Sequence, residues 1–269
     1  MHHRFIHSAF YDRHKRKILR LNEMITLVTA IALLAFLTGD ETYQAKERRF
    51  MISEIQMTAF VTGLHTGLYK IDEKVLNVMG QIPRTNFLDS EHSFYAYKNV
   101  ALPMVSERYI IPEPFLTAMM IHLMGVHKAD TVLEIGYGTG YEAAILSKLA
   151  KKVYTIKQQN PLGKASEASN VENSLAEYRN VQSVIGNGIH GWPRKAPFDA
   201  ILVKQAISDM PPQALIDQLT PYGRLVIPIE DSTTHEQRVM VYLKMPDGSV
   251  QSRETLYVKM THLLPGQDI

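Results

Sequence analysis

Short apolar runs recur through the second half of the chain at intervals that a helix cannot produce. Val132, Leu133 and Ile135 form one, followed by Lys152–Ile156, Val181–Ile185, Phe198–Val203 and Gly223–Pro228. Each run is brief, and most are flanked by Gly, Pro, Asn or Asp, which predicts buried strands. Stretches of helical period lie before the first run at Phe115–Met124 and between the runs at Tyr141–Leu149, Pro161–Tyr178 and Pro212–Leu219. Pro114 suits a helix start, where its missing N–H costs nothing. Arg238–Lys244 and Glu254–Lys259, around the turn Pro246-Asp247-Gly248, read as a hairpin. Strands alternating with helices and ending in a hairpin predict an α/β chain, with a mostly parallel sheet and an antiparallel C-terminal edge.

The first half reads differently. Phe50, Ile52, Ile55, Ala59 and Phe60 recur at near-helical spacing from Lys46 onward. Gly63 and Gly67 are expected to interrupt this helix, and Ile71–Met79 resumes it with Asp72 as a possible cap. Pro83 ends it, and residues 84–100 read as loop. Residues 24–39 carry no charge and follow a basic cluster at Arg13, Lys15, Arg16, Lys17 and Arg20. That is the layout of an export signal or signal anchor, although the run is short beside the roughly 20 residues of a membrane span. The organisation expected is therefore a basic N-terminus with a signal or anchor over residues 1–45, and one main domain over 46–269 whose part 46–125 is helical. Positive charge ahead of the run would place the body across the membrane, periplasmic or anchored to the inner membrane through residues 24–39. If the run instead packs on the domain, the expectation is cytoplasmic.

Composition removes several classes of chemistry. There is no cysteine, hence no disulfide, thiolate metal site or cysteine nucleophile. A net charge of +2 and the lack of a basic stripe give no reason to expect a nucleic-acid partner. His122 and His127 lack a third ligand at sensible spacing, so no metal is expected. Neither Ser147 nor Ser208 sits in a Gly-x-Ser-x-Gly elbow.

The densest local signal is Thr131-Val-Leu-Glu-Ile-Gly-Tyr-Gly-Thr-Gly-Tyr141. A strand runs into three glycines, Gly136, Gly138 and Gly140, and a helix opens at Tyr141. Free N–H groups and a positive dipole end at such a helix start favour a nucleotide-type ligand. The Gly-x-Gly-x-Gly spacing is tighter than the dinucleotide fingerprint and, with Glu134 ahead of it, resembles the first motif of Rossmann-like methyltransferases that use S-adenosylmethionine.

Further landmarks in the right order make the resemblance more specific. Ile82-Pro-Arg84 with Phe87, Asn99-Val-Ala-Leu-Pro103, Gly191-Trp-Pro193, Ala196-Pro-Phe-Asp-Ala200 and Gly223–Pro228 are together similar to protein-L-isoaspartate O-methyltransferases, from about Lys46 to about Leu264. The resemblance implies a Rossmann-like S-adenosylmethionine-dependent methyltransferase fold, with S-adenosyl-L-methionine as cofactor. Its substrates would be isoaspartyl-containing proteins or peptides, methyl-esterified for repair. It also implies that Glu134, Gly136, Gly138, Gly140, Lys157 and Asn187 line the cofactor and that Ile110, Ile111, Pro112 and Glu113 face the substrate.

The ligand-facing positions depart from the family. Pro112 replaces a serine, removing a hydroxyl and an N–H, and Glu113 adds negative charge where a carboxylate would dock. Lys157 stands where an acidic residue accepts from ribose hydroxyls, and Asn187 replaces an aspartate. Lys204-Gln205-Ala206 replaces a smaller Thr-Ala-Ala sequence and is expected to narrow or fill the site. These departures carry a second reading: an exported homologue, impaired in catalysis, that binds a protein or peptide through the former cleft.

Overall fold

The computed structural model describes residues 43–103, 110–158 and 174–263. The chain divides into two compact units, Met1–Glu47 and Arg48–Ile269, and the sheet with its helices belongs to the second. Residues 24–39, most of the helix expected at Pro161–Tyr178, and residues 104–109 lie outside the described residues.

Seven strands form the continuous path of the sheet, in the order β10-β9-β8-β6-β3-β4-β5. Here β3 is Thr131–Ile135, β4 Lys152–Lys157, β5 Val181–Ile185, β6 Phe198–Val203, β8 Leu219–Glu230, β9 Gln237–Lys244 and β10 Val250–Val258. The pairs β3/β4, β3/β6, β4/β5 and β6/β8 are parallel, whereas β8/β9 and β9/β10 are antiparallel. A short β7 (Ile207–Ser208) runs parallel to the end of β8. The expected parallel sheet with an antiparallel C-terminal edge is therefore the fold.

Alternation along the strands divides the core in two. Val132, Val153, Ala200, Leu202 and Val226 pack with helical residues such as Met79, Met119 and Ile145 in one cluster. Their neighbours Leu133, Ile135, Ile201, Val203 and Leu225 pack with Trp192, Leu215 and Ile216 in the other. A sheet buried on both faces explains why its parallel strands read as continuous apolar runs.

The first helix, α1, spans residues 43–66 and passes through Gly63 without a break. Its buried face is Met51, Ile55 and Ala59, with Ile52 partly buried beside them, so the reading holds at Ile52, Ile55 and Ala59 and fails at Phe50 and Phe60. Phe50 and Phe60 are exposed, the former under the Lys98 ammonium and the latter edge-on to Tyr69. Helix α2 (Glu73–Gln81) is capped as expected, with Asp72 accepting from the Lys74 N–H. Helix α3 is Pro114–Met124, α4 is Tyr141–Leu149, and the helix expected to reach Leu219 is only Gln213–Asp217, here α5. Its end is cut short because Leu219 already pairs with Phe198 in the sheet. Asp209, ahead of α5, has φ 60° and accepts from the Ser232 N–H.

The expectation of an inner-membrane-anchored protein is corrected. Among the described residues no helix is long and apolar enough to cross a membrane. Helix α1 has the length but carries Lys46, Glu47, Arg48, Arg49 and Glu54, whose charges bar it from hydrocarbon.

Candidate functional site

The site forms where β3 and β6 end side by side. Gly136 turns the chain at φ 129° while its N–H donates to Ile156 of the adjacent β4. Gly140, at φ 92°, is the residue before α4, and its carbonyl accepts from Ala144. Both conformations are costly for any residue with a Cβ. The turn is therefore what the glycine spacing predicts, and it aims the N-terminus of α4 at the end of the sheet.

Two carboxylates lie beneath this turn. Glu134, on β3, is 1% exposed, and Glu142, in the first turn of α4, is 5% exposed. Between them sits the ammonium of Lys204, the residue after β6, 2.5 Å from Glu134 Oε1 and 3.4 Å from Glu142 Oε2. The Lys204 backbone N–H donates to Ile135, which fixes the root of its side chain at the turn. Glu142 also accepts from the Thr117 hydroxyl at 3.2 Å. Burial alone would favour neutral Lys204, but the two carboxylates outweigh it and raise its pKa above the usual lysine range. Burial likewise opposes charge on Glu142, yet Lys204, its own backbone N–H, Arg84 and Thr117 together hold it below the usual carboxylate value.

Lys204 and its neighbour occupy the space the glycines leave. A Cβ placed on Gly138 would lie 2.5 Å from Lys204 Nζ, and one on Gly136 would lie 3.1 Å from Gln205 Oε1. Gln205 accepts from the Tyr137 N–H at 2.9 Å and donates to the His262 carbonyl at 3.0 Å. Ala206 is tied to the C-terminal segment through its N–H to Thr261 and its carbonyl to Leu263. The cavity remaining against Gly138, Thr139 and Glu142 is about 10 Å³, room for about one water molecule.

The expected substrate segment closes the other side. Ile110–Ile111 (β2) pairs antiparallel with Leu102–Pro103 (β1). The fully buried Arg84 reaches under it, donating from Nη2 to the Pro112 carbonyl at 2.6 Å and from Nη1 to the Ala96 carbonyl. Its guanidinium also lies 5.7 Å from the centre of the Tyr141 ring. Ile110, Ile111 and Pro112 share the small cavity with Gly138 and Lys204. Ile110, Pro112 and Glu113 also line an open cleft of about 520 Å³, bounded opposite by residues 256–261.

The structure thus brings Glu134, Gly136, Gly138, Gly140 and residues 110–113 into one locality. Lys157, at the end of β4, and Asn187 are not among the residues lining either cavity. Asn187 is buried and accepts from the Ile189 N–H as the cap of a short turn. His122 is engaged structurally, accepting from the Asp72 N–H at 3.2 Å, and Asp199 accepts from Thr131 and Thr220. Glu142 and the ion-pairing role of Lys204 were missed from the sequence. The available signal was a charge in the first turn of the helix that follows the glycines, Glu142.

A parallel sheet in this order, with a glycine turn leading from β3 into a helix, defines a Rossmann-like methyltransferase fold. Residues 55–264 match the family model for protein-L-isoaspartate(D-aspartate) O-methyltransferase. A protein-L-isoaspartate O-methyltransferase 1 of Cupriavidus necator is 39% identical over 241 residues, covering 90% of this chain and 91% of that protein. A protein-L-isoaspartate O-methyltransferase 2 of a Polaromonas species is 40% identical, covering 79% of this chain and 98% of its own length. The chain belongs to the protein-L-isoaspartate O-methyltransferase family. Among solved structures, a protein-L-isoaspartate O-methyltransferase superposes with a TM-score of 0.66 at 23% identity, over 80% of this chain and 65% of that one. A Plasmodium falciparum counterpart solved with S-adenosyl-L-homocysteine gives 0.63 at 20% identity, over 81% of this chain and 98% of that one. At these identities the likeness speaks to fold.

Family membership implies S-adenosylmethionine as the methyl donor, and the backbone of the glycine turn suits such a ligand. The side chains beside it do not suit it as folded. The place where two buried carboxylates would receive a cationic group is taken by the chain's own ammonium.

Proposed function

We propose that this protein is an S-adenosylmethionine-dependent carboxyl methyltransferase acting on isoaspartyl residues of damaged proteins or peptides. The observation that carries this reading is likeness to proteins of that name along nine-tenths of the chain. The geometry supports it in kind. An ionised carboxylate is already a nucleophile, so methyl-ester formation requires orientation and no general base. The open cleft beside residues 110–113 has room for an extended chain and reaches Lys204, the residue that covers Gly138.

The test is incubation of the full chain with S-adenosylmethionine and a peptide containing one isoaspartate, read by mass spectrometry against the same peptide with ordinary aspartate. A gain of one methyl on the isoaspartyl peptide alone is the expected result. Equal labelling of both peptides would point to a different acceptor, and labelling of neither would remove the activity.

A second reading is favoured by the filled carboxylate site: a homologue that keeps the fold and binds a protein or peptide without methyl transfer. It predicts retention of an isoaspartyl peptide with no cofactor dependence.

A further inference from the structure

Glu134 and Glu142 form a buried cation site at the glycine turn, and this chain supplies the cation. The two carboxylates approach the turn from different elements, β3 and α4, and Lys204 reaches them from a third. With Lys204 in place one of the two carboxylate charges is offset, the Gly138 face is covered and about 10 Å³ of space remains. S-adenosylmethionine is a nucleoside joined through sulfur to an amino-acid end, and its positive charges lie on the sulfonium and the α-ammonium. Those are the groups that two buried carboxylates would attract. A ligand cation and the Lys204 ammonium cannot occupy this site together, because they compete for the same oxygens and repel one another.

We propose that Lys204 is a specificity-determining residue that occupies the place of the ligand's amino-acid end, so that the cleft discriminates against ligands carrying that end until Lys204 moves out. The inference rests on the methyltransferase reading and adds to it the identity of the gate. Lys204 is held at its root by its N–H donated to the Ile135 carbonyl and at its tip by the carboxylates. The adjoining cleft, which Lys204 also lines, gives the displaced ammonium somewhere to go. Gln205 takes no part in this movement, being held at both ends by Tyr137 and His262. Discrimination therefore resides in one side chain.

The experiment is calorimetric titration of the full chain and its Lys204→Ala variant with two nucleoside thioethers. S-adenosylhomocysteine carries the amino-acid end and 5′-methylthioadenosine lacks it. Lys204→Ala is expected to tighten S-adenosylhomocysteine at least tenfold while changing 5′-methylthioadenosine less than threefold. Because the single variant leaves two buried carboxylates unpaired, Lys204→Ala with Glu142→Gln serves as a second, better compensated protein. It keeps Glu134 and is expected to show the same selective gain. Equal affinity of all three proteins for S-adenosylhomocysteine would overturn the proposal while leaving the methyltransferase reading intact. A uniform gain for both ligands would overturn it too, since simple widening of the cleft would then suffice. Binding of neither ligand by any of the proteins would overturn the methyltransferase reading and the proposal with it.

Discussion

The turn after β3 and the loop after β6 lie side by side at the same edge of the sheet, yet they obey different constraints. The first is built around Gly136 and Gly140, whose positive φ favours glycine, and around Gly138, where a Cβ would meet Lys204. The second is built from long side chains, Lys204 and Gln205, that enter the space beside the turn, Gln205 also accepting from the Tyr137 N–H. One region preserves a ligand site as a property of the backbone, whereas the other decides through side chains what the site accepts. A scaffold can thus persist while its selectivity is set by an adjacent loop.

The comparison can be broken most forcefully from the scaffold side. Phe198, fully buried at the start of β6, anchors the core opposite the main helices. Phe198→Ala should cost about 3–5 kcal/mol in urea unfolding, with the ligand preference of the folded fraction unchanged. A shift in preference would show that the sheet and the loop are not separable.

On the loop side, Lys204→Met removes the charge but keeps much of the volume. It should cost about 3 kcal/mol, because two carboxylates lose their buried partner. Adding Glu142→Gln should recover part of that loss, a coupling that a double-mutant cycle measures directly. Full additivity would mean that the ion pair contributes nothing specific.

Gln205→Ala should cost about 1–2 kcal/mol, since it leaves the Tyr137 N–H and the His262 carbonyl without this partner. Thermal unfolding checks it, and a neutral result would assign the turn's order to its glycines alone.

The smallest effect is in pH. Glu142 is held below its ordinary value of 4.5, so the unfolded chain takes up its proton more readily than the folded one. The stabilisation is present above about pH 4.5 and is lost as pH falls through the lower folded value. Glu142→Gln should therefore lower the melting temperature near neutrality and flatten its acid limb, the difference from the unaltered protein closing as pH falls below about 4.5.

Much of the fold was legible because strands and helices declare themselves locally. β3, β5 and β6 lie where their apolar runs placed them, and Asp72 and Pro114 mark the helix starts that their chemistry suggests. β8 is longer than the expected Gly223–Pro228: it begins at Leu219 and passes through Gly223 with an irregular register opposite Phe198–Ala200. On α1, Ile55 and Ala59 were read correctly, whereas Phe50 and Phe60 were wrongly placed on the buried face because they are apolar yet find partners at the surface. Within the site, the glycine turn was visible because its signal lies within a few residues. The Lys204–Glu142 contact spans 62 positions and depends on β3 and β6 pairing, which no local pattern specifies. From sequence, Lys204 was only a larger side chain; its partners make it an occupant.

The most direct measurement is a crystal structure of the unaltered protein with S-adenosylhomocysteine at saturating concentration. The account predicts the ligand's amino-acid end at Glu134 and Glu142, with Lys204 Nζ withdrawn from both carboxylates into the adjoining cleft. S-adenosylhomocysteine bound in the glycine turn with Lys204 still seated on Glu134 would contradict it.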